Sequence, residues 1–468
     1  MAVLLPPSIA FLHRLRAIVP AQGSGVVPST LTTFLDDFLI NVFYPQLEES
    51  LTLLCGQAIN DLEAFQPTTA NTEYPRPVFT GTIRFWTVLS RVCALLDALP
   101  HEQAFSGLVV AQMRGYYDRC FQWSKSLLQR SLLEGDNTAQ MRLAAELATS
   151  GDVNDVVIAL LNAQKAGHVQ DGAVLAEKES ALLIQTIRTR GTLDEAELIT
   201  DRKALAQLCT LHVSMTLLAQ RCKSLRFVST RAVDMMNAPS PIQPAFETKT
   251  ARKRRPNGQW SMRDDDVVPE GIYLPLDEHM ANQFDAVRTS FTELSTLILR
   301  TLHLDLRLQV LLGLSTSLSH TYALGQEYRD PDPATLLLSE NLSTYSTVLS
   351  VQLPVLQTQF LTTGLDVLVA NTLCALTSLM PALDSWGLQR MQTNILVLQQ
   401  SLNSFTSTGS GLERARRFFE LGGRGVETIV VEGLREGYAK EDLRALARLC
   451  YEVERDGENV DGLVARLS

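Results

Sequence analysis

The feature that most constrains the fold of this chain is an apolar periodicity that recurs along most of its length. Apolar residues return at steps of three and four in residues 205–225, again in 391–405, and again in 443–453. This spacing places an apolar stripe on one face of a helix and leaves the opposite face polar. Aromatic residues make up only 7% of the chain, and leucine, which loses little rotamer freedom in a helix, is abundant. The sequence therefore predicts an all-α protein.

Several short motifs indicate where individual helices begin. Residues 192–195 (TLDE) and 410–413 (SGLE) have the capping-box pattern, in which Thr192 and Ser410 are the predicted N-caps. Asp332 precedes Pro333, which predicts an N-cap followed by proline at the first helical position. We expect helices to start at all three places.

One segment has the periodicity of a strand instead. Residues 302–310 (LHLDLRLQV) alternate strictly between apolar and polar side chains, as in a half-buried strand. The segment lies inside a leucine-rich stretch, residues 291–312, that contains neither glycine nor proline. We predict a helix here because nothing in the surrounding sequence would end one.

Two stretches break the helical pattern. Residues 238–275 hold six prolines together with a basic run and an acidic run, and they predict a long loop or linker. Residues 66–81 form a shorter irregular stretch with three prolines. The chain is thus predicted to contain one or more helical bundles in residues 1–237, a linker in 238–275 and a C-terminal helical bundle in 276–468.

Charge and cysteine usage exclude several classes of protein. The formal charge is −10, which argues against nucleic-acid binding because that requires a basic surface. The seven cysteines include no Cys-x-x-Cys pair and predict reduced core thiols in a cytoplasmic protein.

The most apolar stretch, residues 365–380, is interrupted by Asp366 and Asn371 and predicts a buried helix. Residues 1–18 lack the charge order of a signal peptide, and we expect the chain to be a shortened product.

A search for catalytic motifs yields no candidate site. Residues 101–105 (HEQAF) open like a zinc-protease motif, but Phe105 stands where the second histidine ligand belongs. Residues 422–425 (GGRG) lack the Lys-Ser/Thr of a phosphate-binding loop and predict a turn between helices. His212 lies on an apolar stripe and is expected to be a core residue. We therefore predict no catalytic, cofactor-binding or metal-binding residue and no small-molecule substrate; an enzyme whose site is assembled from distant residues stays an alternative.

A single concentrated basic run lies in the predicted linker. It consists of Lys249, Arg252, Lys253, Arg254 and Arg255, and an acidic run follows at residues 264–266. Three interpretations are open: a solvated loop, a contact with an anionic membrane or a partner, and a nuclear localisation signal. The solvated loop is favoured because blocks of charge are usually exposed.

The C-terminal third resembles a known family. Residues 391–402 (MQTNILVLQQSL) are similar to the Asn-Ile-x-Val-Leu-Gln-Gln-x-Leu signature of exocyst complex component four, the Sec-eight subunit. The segments that follow, residues 412–420 and 442–451, resemble that family in the same order, as do residues 284–312. Residues 33–48 resemble a segment near the middle of its fungal members.

The resemblance implies the C-terminal half of a subunit that is an elongated rod of consecutive helical bundles. It implies a role in tethering secretory vesicles to the plasma membrane through contacts with the other exocyst subunits, from the cytoplasm and without a cofactor. Helix faces such as that of residues 205–225 are candidates for those contacts. The alternative is a generic cytosolic helical adaptor with unrelated partners, which would share the composition but lack the signature.

Overall fold

A computed structural model describes residues 11, 14, 37–69, 72–96, 102–130, 140–191, 193–228, 272–404 and 411–451. Side chains are described for all of these except residues 102–104 and 169. The α-helices within this part of the chain are α1 (Tyr44–Asn60), α2 (Thr80–Leu96), α3 (Glu102–Leu128), α4 (Leu143–Leu147), α5 (Asp152–Ala166), α6 (Val169–Arg190), α7 (Arg202–Leu225), α8 (Glu278–Leu318), α9 (Pro333–Gln352), α10 (Val355–Thr362), α11 (Leu365–Ala375), α12 (Ser385–Asn403), α13 (Glu413–Gly422), α14 (Val426–Arg435) and α15 (Lys440–Tyr451). The all-α prediction is confirmed.

Short elements of other kinds complete the described chain. A π-helical turn, Leu39–Phe43, precedes α1, and 3₁₀ turns lie at Glu195–Glu197 and Thr377–Leu379. The strands within the described residues are β1 (Arg226–Val228) and β2 (Leu274–Leu276).

Contacts between Cα atoms group the chain into two compact units, and neither unit is one continuous stretch. The first comprises residues 1–123 and 211–295, and the second comprises 124–210 and 296–468. Helices α7 and α8 each contribute residues to both units. The linear division at residues 238–275 and the rod of stacked bundles stay predictions.

Aromatic side chains form much of the core of the first unit. Phe85 of α2 stacks on Tyr116 of α3 with ring centroids 4.3 Å apart, and both side chains are buried. The last turn of α1 passes so close to Gly81 that a Cβ atom there would lie 2.7 Å from the carbonyl oxygen of Ala58. The predicted irregular stretch, residues 66–81, is confirmed through Phe79 in its described part, and α2 begins at Thr80.

The end of the predicted linker belongs to a strand pair. β2 pairs with β1 in parallel, with Arg226 opposite Leu274 and Val228 opposite Leu276. Tyr273 is buried, and its ring lies 5.1 Å from that of Phe227. The prediction of a loop through residue 275 is therefore wrong at its C-terminal end, because apolar residues 273–276 bury themselves against this unit.

The second unit is built from neighbouring helices joined mostly by short turns. Helices α5 and α6 form a hairpin whose turn contains Gly167 at a φ of 75°, a conformation that favours glycine. Helix α6 packs on α11, α9 packs on α12, and α13 to α15 pack on one another. The predicted buried helix in residues 365–380 is confirmed as α11 followed by a 3₁₀ turn, and the GGRG turn is confirmed between α13 and α14.

Of the three predicted helix starts, the one at Asp332–Pro333 is confirmed. The other two begin at residues that differ from the predicted ones. The side chain of Asp332 accepts a hydrogen bond from the Ala334 N–H, and Pro333 opens α9 as predicted. In the first motif, the capping box is formed by Asp194 and Glu197, around the 3₁₀ turn, and Thr192 lies outside the described residues. That box is displaced because Glu197, not Glu195, reaches back to the N-cap backbone.

The motif at 410–413 is also wrong in register. Helix α13 begins at Glu413, with Leu412 at the N-cap position and no side-chain cap hydrogen bond. Glu413 is held instead by Arg416 and Arg417, at N–O distances of 2.7 and 3.1 Å, and hydrogen bonding from Arg416 lowers the pKa of the Glu413 carboxyl to about 2. Ser410 lies outside the described residues.

The stripe of residues 205–225 is core and not surface. Its members on α7, which recur every three or four residues, are all at most 5% exposed: Leu205, Leu208, His212, Met215, Leu218, Cys222 and Leu225. The expectation that this helix face supplies partner contacts is therefore wrong. The seven cysteines are not joined in disulfides, and all are buried except Cys450, which is partly buried. Within the described residues, every helix is too short or too polar to cross a membrane.

Candidate functional site

The most concentrated group of buried ionisable side chains lies in the second unit. Oε1 of Glu179 on α6 is 2.8 Å from Nε2 of His303 and 2.8 Å from Nε of Arg307, both on α8. All three side chains are at most 2% exposed. The ring of His303 also stacks on that of Phe360. We call Glu179, His303 and Arg307 the buried ion cluster.

The Nη1 and Nη2 groups of Arg307 donate hydrogen bonds to backbone carbonyl groups at the C-terminal end of α10. Its Nη1 donates to the carbonyl oxygen of Leu361 at 2.9 Å, and its Nη2 donates to that of Thr363 at 2.6 Å. Nδ1 of His303 lies 3.1 Å from the carbonyl oxygen of Phe360. Phe360 and Leu361 belong to the last turn of α10, and Thr363 is its C-cap residue. Carbonyl groups at a helix C-terminus have no partner within the helix, so the cluster supplies it and joins α6, α8 and α10.

The charge states within the buried ion cluster follow from burial and from neighbouring charges. Burial raises the pKa of the Glu179 carboxyl, but the charge of Arg307 and the contacts with His303 outweigh it, so the net shift is downward. Burial and the same arginine lower the pKa of His303. Glu179 is thus the counter-ion of Arg307. Because no part of the cluster is open to a substrate, its chemistry serves to hold helices together.

A second polar group lies on another side of the same helix. Oδ1 of Asp305 accepts from the Ile199 N–H at 2.9 Å, and Oδ2 accepts from Nε2 of Gln309 at 2.9 Å. That amide nitrogen also donates to the carbonyl oxygen of Ile199 at 3.1 Å. The pair therefore satisfies both backbone polar groups of a buried residue outside regular secondary structure, where an unpaired group would be costly. The Tyr345 hydroxyl lies 3.3 Å from Oδ2 of Asp305.

These contacts explain the alternating pattern of residues 302–310. The segment is helical, and all of its residues are buried except Gln309, which is partly buried. Positions four apart share a helix side, whereas positions two apart point to nearly opposite sides. His303 and Arg307 therefore face α6 and α10, while Asp305 and Gln309 face Ile199. The strand-like alternation is produced by two (i, i+4) polar pairs on a helix that is surrounded by protein.

Asp305 should make stability depend on pH. Burial raises its pKa from 3.8 to about 6, so the stabilisation that it contributes when protonated is lost as the pH rises through about 6. Asp305→Asn removes this titration. Between pH 4 and pH 8 we expect the stability of the variant, relative to the unsubstituted chain, to improve by about 2 kcal/mol. Urea midpoints at both pH values measure it, and a relative stability that does not change with pH would contradict it.

The signature segment at residues 391–402 also has a structural role. Asn394 of α12 is buried; its Oδ1 accepts from the Asp332 N–H at 2.8 Å, and its Nδ2 donates to the Tyr322 hydroxyl at 3.0 Å. It thereby holds both the start of α9 and the loop that follows α8. One turn earlier on α12, Arg390 donates to the carbonyl oxygens of Asp330 and Pro331. Asn394 thus fastens the loop between α8 and α9 to α12.

The other candidate residues from the sequence do not gather into a site. His212 is buried, with Nδ1 2.8 Å from the carbonyl oxygen of Ser295, which confirms it as a core histidine. His101 and the basic run that starts at Lys249 lie outside the described residues. Among the residues that are described, no group of histidine, cysteine and acidic side chains could hold a metal ion.

Comparison with known proteins shows what the chain is similar to. It is 36% identical over 453 residues to the probable exocyst complex component sec8 of Neurospora crassa, which covers 94% of this chain and 39% of that protein. The chain is similar to the exocyst component 4 family over nearly its whole length. It is 22% identical over 362 residues to exocyst complex component 4 of Homo sapiens, covering 74% of this chain and 34% of the human protein. No family model matches the chain.

The component 4 relationship extends to plants. Exocyst complex component SEC8 of Arabidopsis thaliana is 20% identical over 434 residues, which is 89% of this chain and 37% of that protein. The chain thus spans less than two fifths of the length of these relatives. The family resemblance expected from residues 391–402 is confirmed.

Proposed function

We propose that this chain is a structural part of an exocyst subunit that helps to tether secretory vesicles to the plasma membrane before fusion. Its role is to present helix faces to the other exocyst subunits and to hold those faces in fixed positions. In this role it works by protein–protein contact and performs no reaction. We place it in the cytoplasm, peripheral to the plasma membrane at sites of secretion.

The observation that carries this proposal is the family relationship to exocyst components over nearly the whole chain. The internal polar groups support the proposal, because they form hydrogen bonds and ion pairs within the chain itself. The buried ion cluster and Asp305 bind backbone groups of their own unit, and Asn394 binds the loop between α8 and α9. Such buried and satisfied networks rigidify a fold and favour one arrangement of its helices.

The experiment is purification of the tagged full-length protein from its native cells, followed by mass spectrometry of the proteins that co-purify. We expect the other exocyst subunits to be recovered in similar amounts, because a structural subunit is held by several interfaces. An untagged strain and a strain that expresses the tag alone are the controls. Recovery of a folded chain with none of these subunits would overturn the proposal and favour an unrelated helical adaptor.

A further inference from the structure

The hairpin of α5 and α6 carries a groove with a volume of about 410 Å³. On each helix the residues that line the groove lie on one side, because they are spaced by about one or two helical turns or are direct neighbours. The groove is lined by Asp152, Asp155, Val156 and Ala159 of α5 and by Leu175, Lys178 and Leu182 of α6. It therefore follows the line along which the two helices meet.

The floor of this groove is apolar. Val156 is only 4% exposed, and Ala159, Leu175 and Leu182 are partly exposed. These four side chains contain no polar atom, so another protein can cover them without displacing a hydrogen bond. Covering them removes apolar surface from water, which favours binding.

Charged side chains of opposite sign stand on the two rims of the groove. Asp152 and Asp155 are exposed on the α5 rim, and Lys178 is exposed on the α6 rim. None of the three forms an ion pair with any residue in the part of the chain that the structure describes. A protein that covers the floor would therefore meet two carboxylates on one flank and one ammonium group on the other.

The two aspartates also have a structural role, whereas the lysine has none within its own helix. Asp152 and Asp155 lie in the first turn of α5, where the helix dipole favours negative charge. Lys178 lies in the middle of α6, and the residues four positions away on either side, Val174 and Leu182, are apolar. An ion pair within α6 therefore does not account for Lys178.

We propose that the groove between α5 and α6 is a docking site for an amphipathic segment of a partner protein. This segment places aliphatic side chains on the floor, lysine or arginine beside Asp152 and Asp155, and an acidic side chain beside Lys178. The inference rests on the proposed function, and it adds the surface and the chemistry of one partner. Complementary rim charges of this kind select a partner and fix its orientation more than they add affinity.

Other occupants fit the groove less well. Anionic membranes and nucleic acids are repelled by the two carboxylates, and a single lysine faces them. A second copy of the chain carries a net charge of −10, and two such chains repel each other. Two concave surfaces placed face to face would also leave both floors uncovered. A segment of another protein with a basic flank has none of these problems.

The first test reverses the charge on each rim in turn. Asp155→Lys and Lys178→Glu are introduced separately into the full-length tagged protein, and the proteins that co-purify from native cells are quantified. Because each reversal places like charges together, we expect both to reduce the recovery of the same partner by about tenfold or more. Neutral Asp155→Asn should reduce it by less than about fivefold, since a single rim pair contributes little.

The matched control is Glu340→Lys on α9 of the same unit. Glu340 is exposed and does not line the groove, and its substitution changes the charge by the same amount. We expect this variant to recover every partner as the unsubstituted protein does. All of the substituted side chains are exposed, so the thermal midpoints of the variants should stay unchanged.

The agreement between the two rims decides the outcome. If neither reversal reduces recovery, the groove is not an interface and the proposal is overturned. If Asp155→Lys acts and Lys178→Glu does not, the effect belongs to the start of α5, and the proposal is overturned. If Lys178→Glu acts and Asp155→Lys does not, the partner has no basic flank, which also overturns it.

A second test identifies the occupant directly. The photo-crosslinker p-benzoylphenylalanine is placed at Ala181, an exposed neighbour of Leu182, in the intact complex, and the crosslinked peptide is sequenced. We expect a segment of another protein that contains both aliphatic and basic residues. A crosslink to lipid, to a second copy of the chain, to a segment without basic residues or to nothing overturns the proposal.

A charge exchange separates binding from folding. The basic residues of the crosslinked segment are replaced by glutamate, one at a time, in a strain that carries Asp155→Lys. One of these replacements should restore recovery, because the facing pair is then again opposite in sign. A loss caused by unfolding would not be restored, so failure of every replacement overturns the proposal.

The two proposals fail in different ways. If the unsubstituted protein recovers no exocyst subunit, the tethering function is wrong, and the crosslink at Ala181 still tests the groove. If it recovers the subunits and both reversal variants recover them equally well, the groove is not the docking site and the tethering function stands.

Discussion

Glu179→Gln is expected to lower the stability of the second unit by about 3–5 kcal/mol. The substitution keeps the size of the side chain but removes its charge, which leaves the Arg307 guanidinium buried without a counter-ion. Both residues are at most 2% exposed, so solvent will not replace the lost carboxylate. The loss is measured as the opening free energy of α6 and α8 from hydrogen exchange read by mass spectrometry, since the chain need not unfold in a single step.

The control is Glu177→Gln on the same helix. Glu177 is exposed, and its substitution should change the opening free energy by no more than about 0.5 kcal/mol. A loss in Glu179→Gln as small as that of the control would contradict the role given to the buried ion cluster.

A double variant separates the charge from the packing. If Glu179 and Arg307 act as an ion pair, Glu179→Gln combined with Arg307→Met should be less damaging than the two single losses added together. The expected difference is about 2 kcal/mol, within the range measured for residues in direct contact. Additive losses would mean that the two side chains contribute independently.

Gly387→Ala is expected to cost about 3 kcal/mol, at the upper end of the range for overpacked cores. A Cβ atom on Gly387, in the first turn of α12, would lie only 1.9 Å from the carbonyl oxygen of Tyr322 and 2.8 Å from its carbonyl carbon. These are backbone atoms. The Tyr322 N–H donates to the carbonyl oxygen of Ala382, and the Tyr322 carbonyl accepts from the Asp384 N–H, so the loop is held in place and has no easy way to move aside.

Gly172→Ala is the matched control, on α6 of the same unit. A Cβ atom there meets nothing within 4 Å, so the exchange of glycine for alanine in a helix should stabilise the unit by about 0.5–1 kcal/mol. The opening free energies of α12 and α6 measure the two effects. The role given to the Gly387–Tyr322 approach would be wrong if both substitutions stabilised the protein.

The polar groups of α8 show why the sequence did not reveal the buried ion cluster. Glu179 and His303 are 124 residues apart, and Arg307 reaches a carbonyl group 54 residues away. Nothing in the local sequence states that these groups meet. One signal was present, however. A strand-like alternation within a long helical stretch places polar residues four apart on two nearly opposite sides, which indicates a helix enclosed by protein.

For the apolar helix faces, too, the sequence predicted the helix, and the structure alone shows whether the face is buried or exposed. The apolar periodicity of residues 205–225 predicted a helix correctly but was compatible with both core and interface. The structure places that stripe in the core and leaves Leu336, Leu337 and Leu356 exposed instead. A period of three to four residues shows which side of a helix is apolar, but only the neighbouring elements decide whether that side is covered.

By itself, the sequence determined what depends on residues close together along the chain: the helical class, the Asp332–Pro333 start of α9, the turn at residues 422–425 and the family resemblance of residues 391–402. Tertiary structure alone decided the pairing of β1 with β2 across residues 229–273, the ion pair of Glu179 with Arg307, and which apolar stripes are core. The physical reason is the distance along the chain between the groups that interact. A helical turn and its caps are satisfied within about four residues, whereas a buried charge or an apolar side is satisfied by whatever part of the chain folds against it.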